Sequence, residues 1–498
     1  MRTVLGIDLG TQSLKLVVYD FKATDIIATA STPLDLDQDA SGKAEQAPAS
    51  WLDALAGALN QIPGEIRNSI QAIGVSGQQH GLVALGTNGK PLRAAKLWCD
   101  TTTHAEVDEI MGALGGRDRC ILLSGNALVT GFTAPKLLWL KKHEPEHYDA
   151  MVDILLPHDF INYALTGQKV MEYGDASGTG LMDVRNRRWQ RDLLDAIDSS
   201  RDIGDCLPPF VAAGEFIGRT TPEASERFGL PAGTPVAVGG GDNMMGAIGT
   251  GNVSPGRLTM SLGTSGTLYA YSDRPVVDPK GNIAAFCSST GGWLPLLCTM
   301  NCTFATELMR APLDIRIQDF DENIASVPAG ADGLLVLPFF NGERTPNLPS
   351  AKGSLLGLDA TNCSKGHLLR ATVEGATFGL KFGIDELSSL GLPADEIILT
   401  GGGANSRAWQ QIVADVTGLP VKLLQQNEGA GFGAALQALW TLERQSNSST
   451  TINDITDAHI NHDDSQGAEP NPETVGQYQT AYASYQRALA QIAPLYPH

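Results

Sequence analysis

Two stretches of the chain, 253 residues apart, carry nearly the same order of residues. The first is Leu5-Gly-Ile-Asp-Leu-Gly-Thr-Gln-Ser13, and the second is Leu258-Thr-Met-Ser-Leu-Gly-Thr-Ser-Gly266. A strand-forming run follows each Leu-Gly-Thr, at residues 16–19 and 268–271. In this register the matched pairs are Leu5 and Leu258, Leu9 and Leu262, Gly10 and Gly263, Thr11 and Thr264, and Asp20 and Asp273. The repeat predicts two related halves, each built on a strand, a turn and a second strand.

The two Gly-Thr turns predict phosphate binding. A turn of this kind between two strands leaves backbone N–H groups and hydroxyls pointing in one direction, which suits an anion. The candidate residues are Gly10, Thr11, Gln12 and Ser13 in the first turn, and Gly263, Thr264 and Ser265 in the second. We expect the two halves to offer these turns to a shared cleft.

The composition is that of an acidic globular protein. With 498 residues, 42% of them hydrophobic, the chain has enough material for about two to four domains. The formal net charge of −20 argues against nucleic acid or an anionic membrane as a partner, since both require a basic surface. The seven cysteines contain no Cys-x-x-Cys pair, and the N-terminus runs into a strand without an apolar leader. We therefore expect a cytoplasmic protein with reduced thiols.

Three further apolar strands each end in a glycine-rich cluster. A strand that ends in this way presents polar groups at the edge of a sheet, where ligands bind. The alternative is a tight strand-to-helix turn without a ligand. The predicted strands are residues 72–77, 235–238 and 397–400, and the clusters are Gly77-Gln-Gln-His-Gly81, Gly239-Gly-Gly-Asp-Asn243 and Gly401-Gly-Gly-Ala-Asn405.

The last two clusters form a second repeat, offset by 162 residues, in which Asp242 is matched by Ala404. In the first repeat, Asp8 is likewise matched by Ser261. Both carboxylates therefore fall in the first half of the chain. We infer that the halves share a scaffold but differ in chemistry.

Other possible motifs are weaker evidence for a binding site. The chain has no P-loop, and the glycines of Gly429-Ala-Gly-Phe-Gly433 lack the strand that precedes a dinucleotide fingerprint, so they predict a closely packed helix start. The segment from His143 to His147 has zinc-ligand spacing, but Pro145 would disrupt the helix that places both histidines on one face. We do not predict a zinc site there.

The motifs together resemble a known group of proteins. The two phosphate turns and the glycines before Asn405 resemble the actin/hexokinase/heat-shock ATPase superfamily. Within it, residues 131–139, and residues 353–358 with 367–374, resemble the two signatures of the FGGY carbohydrate kinases. Residues 77–81 and 241–243 are similar to the sugar-binding and catalytic segments of xylulokinases in that family. The resemblance extends from residue 3 to about residue 440.

The resemblance implies an α/β fold of two ribonuclease H-like domains, with a cleft that closes around MgATP and a small-molecule sugar. Residues 1–249 would form the N-terminal sugar-binding and catalytic domain, and residues 250–445 the C-terminal nucleotide-binding domain. Residues 446–475 predict a loop or linker, because they are rich in Ser, Thr, Asn and Asp. Residues 476–498 predict a helix that docks on the body. A homodimer is common among such enzymes.

The resemblance also assigns roles to the two carboxylates. Asp242 would be the general base, although on spacing alone a helix N-cap is an equally good interpretation. Asp8 would bind Mg²⁺ directly or through water, with a turn-capping role as the alternative.

Further site residues follow in the same way. Gln79 and His80 would bind the sugar together with Asp242 and Asn243, since a polyol needs both donors and acceptors. Asp100, which follows the strand-like residues 95–98, is a weaker sugar candidate. The residues next to it depart from the usual bacterial pattern of the family, and this departure bears on which sugar is preferred. Gly402, Gly403 and Asn405 would line the adenine side of the ATP site.

The activity implied is ATP-dependent phosphorylation of a ketopentose, with D-xylulose as the expected substrate and D-xylulose 5-phosphate as the product. Another ketose or a polyol, such as ribulose, is the alternative within the family. A nucleotide-gated binding protein on an actin-like scaffold is the alternative from another class. The sugar-binding pair Gln79 and His80 and the retained Asp242 argue against that third possibility.

Overall fold

The computed structural model describes residues 1–426, 428–463 and 465–496. These residues divide into two units, and neither unit is a single continuous stretch of chain. Unit 1 contains Met1–Val253, Ser272–Leu294 and Asn427–Ile460. Unit 2 contains Ser254–Tyr271, Pro295–Gln426 and Asn461–His498. The sequence prediction, in contrast, divides the chain at single points.

The strands of unit 1 precede those of unit 2 in the chain. Those of unit 1 are β1 (Thr3–Leu9), β2 (Ser13–Asp20), β3 (Asp25–Pro33), β4 (Asp37–Gln38), β5 (Ala44–Gln46), β6 (Ile70–Gly77), β7 (Val83–Leu85), β8 (Ala95–Lys96), β9 (Asp153–Leu155), β10 (Met171–Glu172), β11 (Met182–Asp183), β12 (Arg188–Trp189), β13 (Phe210–Val211), β14 (Phe216–Arg219), β15 (Pro235–Ala237) and β16 (Gly240–Gly241). Those of unit 2 are β17 (Arg257–Leu262), β18 (Gly266–Ala270), β19 (Leu296–Thr299), β20 (Leu335–Leu337), β21 (Ser354–Leu356), β22 (Glu396–Thr400) and β23 (Val421–Lys422).

The helices of unit 1 come from two parts of the chain. The first part contains α1 (Pro48–Asn60), α2 (Gly64–Arg67), α3 (His104–Leu114), α4 (Arg117–Ser124), α5 (Thr133–His143), α6 (Pro145–Ala150), α7 (Pro157–Thr166), α8 (Tyr173–Ala176), α9 (Arg191–Ile197), α10 (Pro222–Phe228) and α11 (Asp242–Gly249). Unit 2 then contributes α12 (Thr303–Arg310), α13 (Phe320–Ala325), α14 (Lys365–Ser389) and α15 (Arg407–Thr417). The second part of unit 1 contains α16 (Gly429–Ser446) and α17 (Ile452–His459). Unit 2 ends with α18 (Pro472–Ile492). Short 3-10 turns occur at Ser177–Thr179, Ile203–Cys206, Ile317–Asp319, Ala331–Gly333, Gly402–Asn405 and Ala493–Leu495.

The main sheet of unit 1 has the strand order β14-β15-β6-β1-β2-β3, and β16 pairs with the end of β6. β1 and β2 form the predicted antiparallel hairpin, and β1 is parallel to β6. Its apolar residues are buried in one core with those of α1 and α7, including Ile7, Trp51 and Phe160. α1 begins at Pro48, because proline is well suited to the first turn of a helix.

The main sheet of unit 2 repeats this arrangement, with the order β19-β18-β17-β22-β23. β17 is antiparallel to β18 and parallel to β22. The turns differ in length, since Leu9 pairs with Leu14 whereas Leu262 pairs with Gly266. Because the second turn is one residue shorter, the register shifts by one beyond it. The sequence match of Asp20 with Asp273 is therefore wrong.

The second sequence repeat has a different structural meaning from the one predicted. β6 and β22 each lie parallel to the first strand of a hairpin, so Gly401 corresponds in topology to Gly77. The strand before Gly239 is β15, which lies on the far side of β6. The similarity between Gly239 and Gly401 therefore reflects a shared way of ending a strand. The two strands do not occupy equivalent places.

Helix α16 explains why part of the late sequence belongs to unit 1. It begins at the predicted glycine run and packs against β1, β6 and α11. A Cβ atom built on Gly6 would lie 1.9 Å from the Gly431 carbonyl oxygen, and one built on Gly433 would lie 1.7 Å from that of Met245. These contacts require glycine, because any side chain would separate the backbones. The close packing predicted for the start of this helix is therefore present, and Gly6 and Gly433 make it possible.

The C-terminal part of the chain contains more structure than a linker. Helix α17 lies within the predicted loop at 446–475. Helix α18 buries Tyr478, Tyr482 and Tyr485, whose rings pack around Phe378 of α14. Within the described parts of the chain, no helix has both the length and the apolar character needed to cross a membrane.

Candidate active site

The parallel strands of unit 1 bring the predicted carboxylates and sugar-binding residues to one edge of the sheet. Asp8 of β1 is in register with Ser76 of β6, and the Ser76 hydroxyl donates a 3.0 Å hydrogen bond to Asp8 Oδ1. The chain then leaves β6 and continues into Gln79. β16 pairs with the end of β6, so that Asp242, which directly follows β16, emerges beside Gln79.

Two glycines shape the approach to Asp242. Gly239 has a φ of +76°, which a residue with a side chain rarely adopts. A Cβ atom on Gly241 would lie between 2.7 and 2.9 Å from three atoms of the Gln79 side chain. The glycine cluster therefore allows the buried Gln79 amide to cover the backbone before Asp242.

Asn243 connects the sugar-binding candidates to the predicted base. Its Nδ2 donates to Gln79 Oε1 at 2.9 Å and to Asp242 Oδ1 at 3.1 Å. Its backbone N–H also donates to Asp242 Oδ1, at 2.8 Å. The N-cap of α11 is Gly241, and Asp242 is the first helical residue. The alternative interpretation of Asp242 as the N-cap is therefore wrong.

The surroundings of Asp242 favour its protonated form. Burial raises its pKa to about 7 and the charge of Asp8 adds to this effect, while the N–H of Asn243 opposes it. Burial also raises the pKa of Asp8, and Ser76 and Lys15 partly offset that shift. A carboxylate with a pKa near the working pH is suited to accept a proton and release it again.

A buried charged group behind this site was missed by the sequence analysis. His158 lies between Asp175, 2.8 Å from its Nδ1, and Asp159, 3.0 Å from its Nε2. Burial alone would lower the pKa of His158, yet the neighbouring carboxylates raise it to about 9. Asp175 Oδ1 in turn lies 3.5 Å from the Gln79 amide nitrogen. No local sequence pattern marks this group, because Asp175 meets His158 only through the packing of α7 and α8.

His80 is held in an aromatic setting. Its ring is stacked on Phe286 with the centroids 5.9 Å apart, and it lies 5.0 Å from the ring of Phe132. Its φ is +66°. A Cβ atom on Gly178 would lie 2.1 Å from the imidazole, so the ring occupies space that only glycine leaves open. Phe132 and Phe286 thus both pack against the imidazole of His80.

The first phosphate turn connects β1 to β2. The Gly10 N–H donates to the Ser13 carbonyl at 3.0 Å, and the Thr11 hydroxyl donates to Gln78 Oε1 at 2.9 Å. The indole N–H of Trp98 donates to the same Thr11 hydroxyl, at 2.9 Å. Gln12 is exposed at the tip of the turn.

Asp100 is part of the interior and does not join the other predicted sugar contacts. It is fully buried, and its Oδ2 accepts hydrogen bonds from Lys96 Nζ and the Ala44 N–H. Its Oδ1 accepts from the Thr102 hydroxyl and N–H. Because both carboxylate oxygens are used inside the fold, we assign Asp100 a structural role in place of the predicted sugar contact.

In unit 2 the second phosphate turn lies next to the Gly402–Asn405 turn. Cβ atoms on Gly401 and Gly403 would lie 2.7 and 2.8 Å from atoms of Leu262, the residue before the phosphate turn. Thr264, Gly402 and Asn405 are exposed, Gly263 and Ser265 are partly buried, and Gly403 is buried. The predicted nucleotide residues of this unit are thus grouped at one end of β17 and β22.

A metal site made only of protein side chains is not present among the described residues. No group of three or more His, Cys, Asp and Glu side chains there is arranged to hold an ion. His143 ends α5 and His147 belongs to α6, which begins at Pro145. The zinc-like spacing of these histidines is therefore divided between two helices, as the proline predicts.

The model of the FGGY carbohydrate kinase N-terminal domain matches residues 3–249, and that of the C-terminal domain matches residues 258–442. The chain belongs to the FGGY family of carbohydrate kinases. It is thus an enzyme that transfers a phosphoryl group from ATP to a small sugar substrate.

The relatives agree with this family. A xylulose kinase of Haemophilus influenzae is 42% identical over 495 residues, covering 98% of this chain and 99% of the relative. A xylulose kinase of Bacillus subtilis is 35% identical over 450 residues, covering 88% of each chain.

Solved structures have the same architecture. The xylulose kinase of Rhodospirillum rubrum superposes with a TM-score of 0.90 at 27% identity, covering 99% of each chain. A glycerol kinase of Plasmodium falciparum solved with ADP has a TM-score of 0.87 at 19% identity, covering 99% of this chain and 98% of the other. The predicted fold class of two ribonuclease H-like domains is confirmed.

Proposed function

We propose that this enzyme phosphorylates D-xylulose at O5, giving D-xylulose 5-phosphate and ADP. The name of the relatives supports this choice of sugar, since the Haemophilus influenzae xylulose kinase is similar over nearly the whole chain. The site residues support it chemically. The Gln79 amide, the His80 imidazole and the Asn243 amide offer both donors and acceptors to a polyhydroxylated substrate.

The observation that carries the proposal is the double hydrogen bond of Asn243. Its Nδ2 bonds to Gln79 Oε1 and to Asp242 Oδ1. A sugar that contacts Gln79 therefore lies next to the carboxylate of the proposed base. The backbone N–H and the side-chain Nδ2 of Asn243 both donate to Oδ1 of this carboxylate. We assign Oδ2 as the atom that meets the substrate hydroxyl.

Asp242 is proposed as the general base. The O5 hydroxyl attacks the γ-phosphorus of ATP while its proton passes to Asp242, and the bond to the β,γ-bridging oxygen breaks to release ADP. The raised pKa of Asp242 suits this proton transfer. Gly10, Thr11, Gln12 and Ser13 in unit 1, and Gly263, Thr264 and Ser265 in unit 2, are proposed to bind the phosphates through N–H and hydroxyl groups. Gly402, Gly403 and Asn405 are proposed to contact the adenosine.

Mg²⁺ is proposed to bind at Asp8, directly or through water. The fit is chemical, since Mg²⁺ prefers carboxylate and phosphate oxygens and retains several waters, so few protein ligands are needed. The negative charge of Asp8 raises the pKa of Asp242, and a divalent cation would offset that repulsion. When bound, the ion neutralises charge on the phosphates of ATP.

A substrate panel tests the proposal. ADP release is measured with D-xylulose, D-ribulose, L-ribulose, xylitol, glycerol and gluconate under saturating MgATP, and the phosphorylated position of the product is found by NMR. We expect the highest kcat/KM for D-xylulose, with phosphate on C5. A higher kcat/KM for ribulose or glycerol, or phosphate on another carbon, would overturn the choice of substrate.

A further inference from the structure

Lys136 has an unusual environment for a lysine. It lies in the first turns of α5 and its side chain is fully buried. Its ammonium group donates to two backbone carbonyls, those of His80 at 2.9 Å and Gly131 at 2.6 Å. Buried lysines are rare, and those that occur are usually paired with a carboxylate. The feature to be explained is therefore why a lysine is used to bind carbonyl groups here.

The buried position is unfavourable for the charged form of this lysine. Burial lowers the pKa of Lys136 to about 7, although Asp100 and Cys99 partly oppose the shift. Lys96 also faces this group and disfavours its charge. A hydrophobic residue would fill the same space without this cost. The hydrogen bonds of the ammonium group are thus the property that distinguishes lysine at this position.

His80, one of the two carbonyl partners, is in a strained backbone conformation. Its φ of +66° lies in the left-handed region, which is unfavourable for a residue other than glycine. Such a conformation persists only when the surroundings hold it. The surroundings are provided by α5. The Thr133 hydroxyl donates to the same His80 carbonyl oxygen, at 3.1 Å, and Lys136 donates to it as well.

The start of α5 contacts His80 at both backbone and ring. Thr133 and Lys136 bond to its carbonyl, and the ring of Phe132 packs 5.0 Å from the imidazole. All three residues belong to the segment 131–139, which carried the first family signature in the sequence. This segment therefore holds His80, one residue of the proposed sugar site, through contacts with its backbone and its ring.

We infer that Lys136 and Thr133 are positioning residues, which hold the His80 backbone in its left-handed conformation and thereby keep the imidazole at the sugar site. The inference rests on the proposed function, in which His80 contacts the sugar. Neither residue is proposed to touch substrate.

The inference predicts an effect on the sugar and not on ATP. In Lys136→Met, which keeps the length of the side chain and removes its donors, we expect the KM for D-xylulose to rise about tenfold, with the KM for ATP changed less than about twofold. A tenfold change corresponds to about 1.4 kcal/mol, which is typical of one hydrogen bond to a charged group. In Lys142→Met, a matched change on the same helix where the ammonium group is partly exposed, we expect both KM values to stay near those of the wild type.

Thr133 provides a second test that does not change a buried charge. Thr133→Val removes the hydroxyl at constant shape, and we expect it to raise the KM for D-xylulose about threefold to tenfold. Thr133→Ser keeps the hydroxyl and should restore the wild-type value. If Lys136→Met does not fold, as judged by circular dichroism and thermal unfolding, the Thr133 pair decides the question.

His80→Ala separates failure of this inference from failure of the proposed function. If His80→Ala leaves the KM for D-xylulose unchanged, His80 is not a sugar contact and the proposed site is wrong. If His80→Ala raises that KM while the folded Lys136→Met and Thr133→Val do not, the positioning role alone is refuted. In the His80→Ala background, Thr133→Val should give no further increase, whereas an additive increase would indicate a general effect on folding.

Discussion

The side-chain amide of Gln437 forms hydrogen bonds with both the N–H and the carbonyl of Gly239, at 2.8 and 3.0 Å. Gln437 is fully buried on α16, and its Nε2 also lies 3.3 Å from the Ser289 carbonyl. Gly239 precedes Asp242, the proposed base, by three residues. The Gln437 amide therefore provides hydrogen-bond partners for the Gly239 backbone, as a neighbouring strand would.

Gln437→Leu should weaken both the fold and the reaction. It leaves the N–H and the carbonyl of Gly239 buried without these partners, which costs about 1–3 kcal/mol of unfolding free energy. We also expect kcat to fall about tenfold, because the base is less well positioned. Urea unfolding and steady-state kinetics measure the two effects, with Gln71→Leu at an exposed position as the control. Wild-type values for both quantities would contradict this role.

Asp242→Asn should remove the proposed general base while leaving the size of the side chain nearly unchanged. We expect kcat for D-xylulose to decrease by about 10²–10⁴-fold, the usual contribution of a general base. Binding of ATP, measured by calorimetry, should be retained. Asp205→Asn changes an exposed carboxylate in the same unit and should have no effect. A variant that keeps more than about half of the wild-type kcat would show that another group accepts the proton.

The pH dependence of stability follows from the raised pKa of Asp242. The folded state holds the proton more tightly than the unfolded state, so ionisation destabilises the wild type as the pH rises from about 4 to 7. Asp242→Asn lacks this penalty. At pH 8 we expect it to be more stable than the wild type by roughly 1–3 kcal/mol, because one pKa unit corresponds to about 1.4 kcal/mol and solvent screens part of the shift.

The gain in the Asn variant should shrink as the pH is lowered to about 5, since Asp242 is then protonated in the folded wild type. Chemical unfolding of both proteins without ligands at the two pH values measures the difference. An equal difference at pH 5 and pH 8 would argue against a raised pKa.

Gly178→Ala should displace the imidazole of His80. The new methyl group would lie 2.1 Å from Cε1 of the ring, which must therefore move. We expect the KM for D-xylulose to increase about tenfold, with little change in the KM for ATP. Gly112→Ala is the matched control, because its Cβ atom faces open space in α3 and alanine favours the helix. Equal KM values for D-xylulose in the two variants would show that His80 does not contact the sugar.

Gly263→Val should impair ATP use without unfolding the protein. The nearest atom to a Cβ at this position is the Ser265 carbonyl oxygen, at 3.2 Å, a contact that a small local shift relieves. A bulky side chain would nevertheless occupy the space where the backbone is proposed to meet a phosphate. We expect the KM for ATP to rise at least about tenfold, and Gly10→Val to behave alike. Normal kinetics in the folded Gly263→Val protein would mean that the second turn is structural only.

Local patterns were enough to predict the framework of the site. The Leu-Gly-Thr turns, and the strand ends before Gln79 and Asp242, are continuous in sequence, and their strands form as predicted. Parallel pairing of β1 with β6 then brings Asp8 and Gln79 to the same edge. Hydrophobic periodicity and glycine placement carry this information directly.

The long-range partners could not be predicted in this way. Asp100 follows a strand-like run and was expected near the sugar, but Lys96 and the Ala44 N–H bind it inside the fold. The contacts of His80 with Lys136 and of Asp175 with His158 depend on how helices pack, which no sequence spacing determines. The roles of the site residues, the domain boundaries, the closing cleft and the homodimer stay predictions.

The placement of α16 in unit 1 affects how the chain matures during synthesis. β1 and β6 are made early, but the helix that covers their Gly6 and Gly74 face follows most of the unit 2 sequence. Unit 1 therefore cannot finish folding on the ribosome until residue 460 has left the exit tunnel. Until then the uncovered face of the first sheet is open to chaperones and to wrong partners, because unpaired apolar surface in a nascent chain promotes misassembly. The last step in forming unit 1 thus waits for nearly the whole polypeptide.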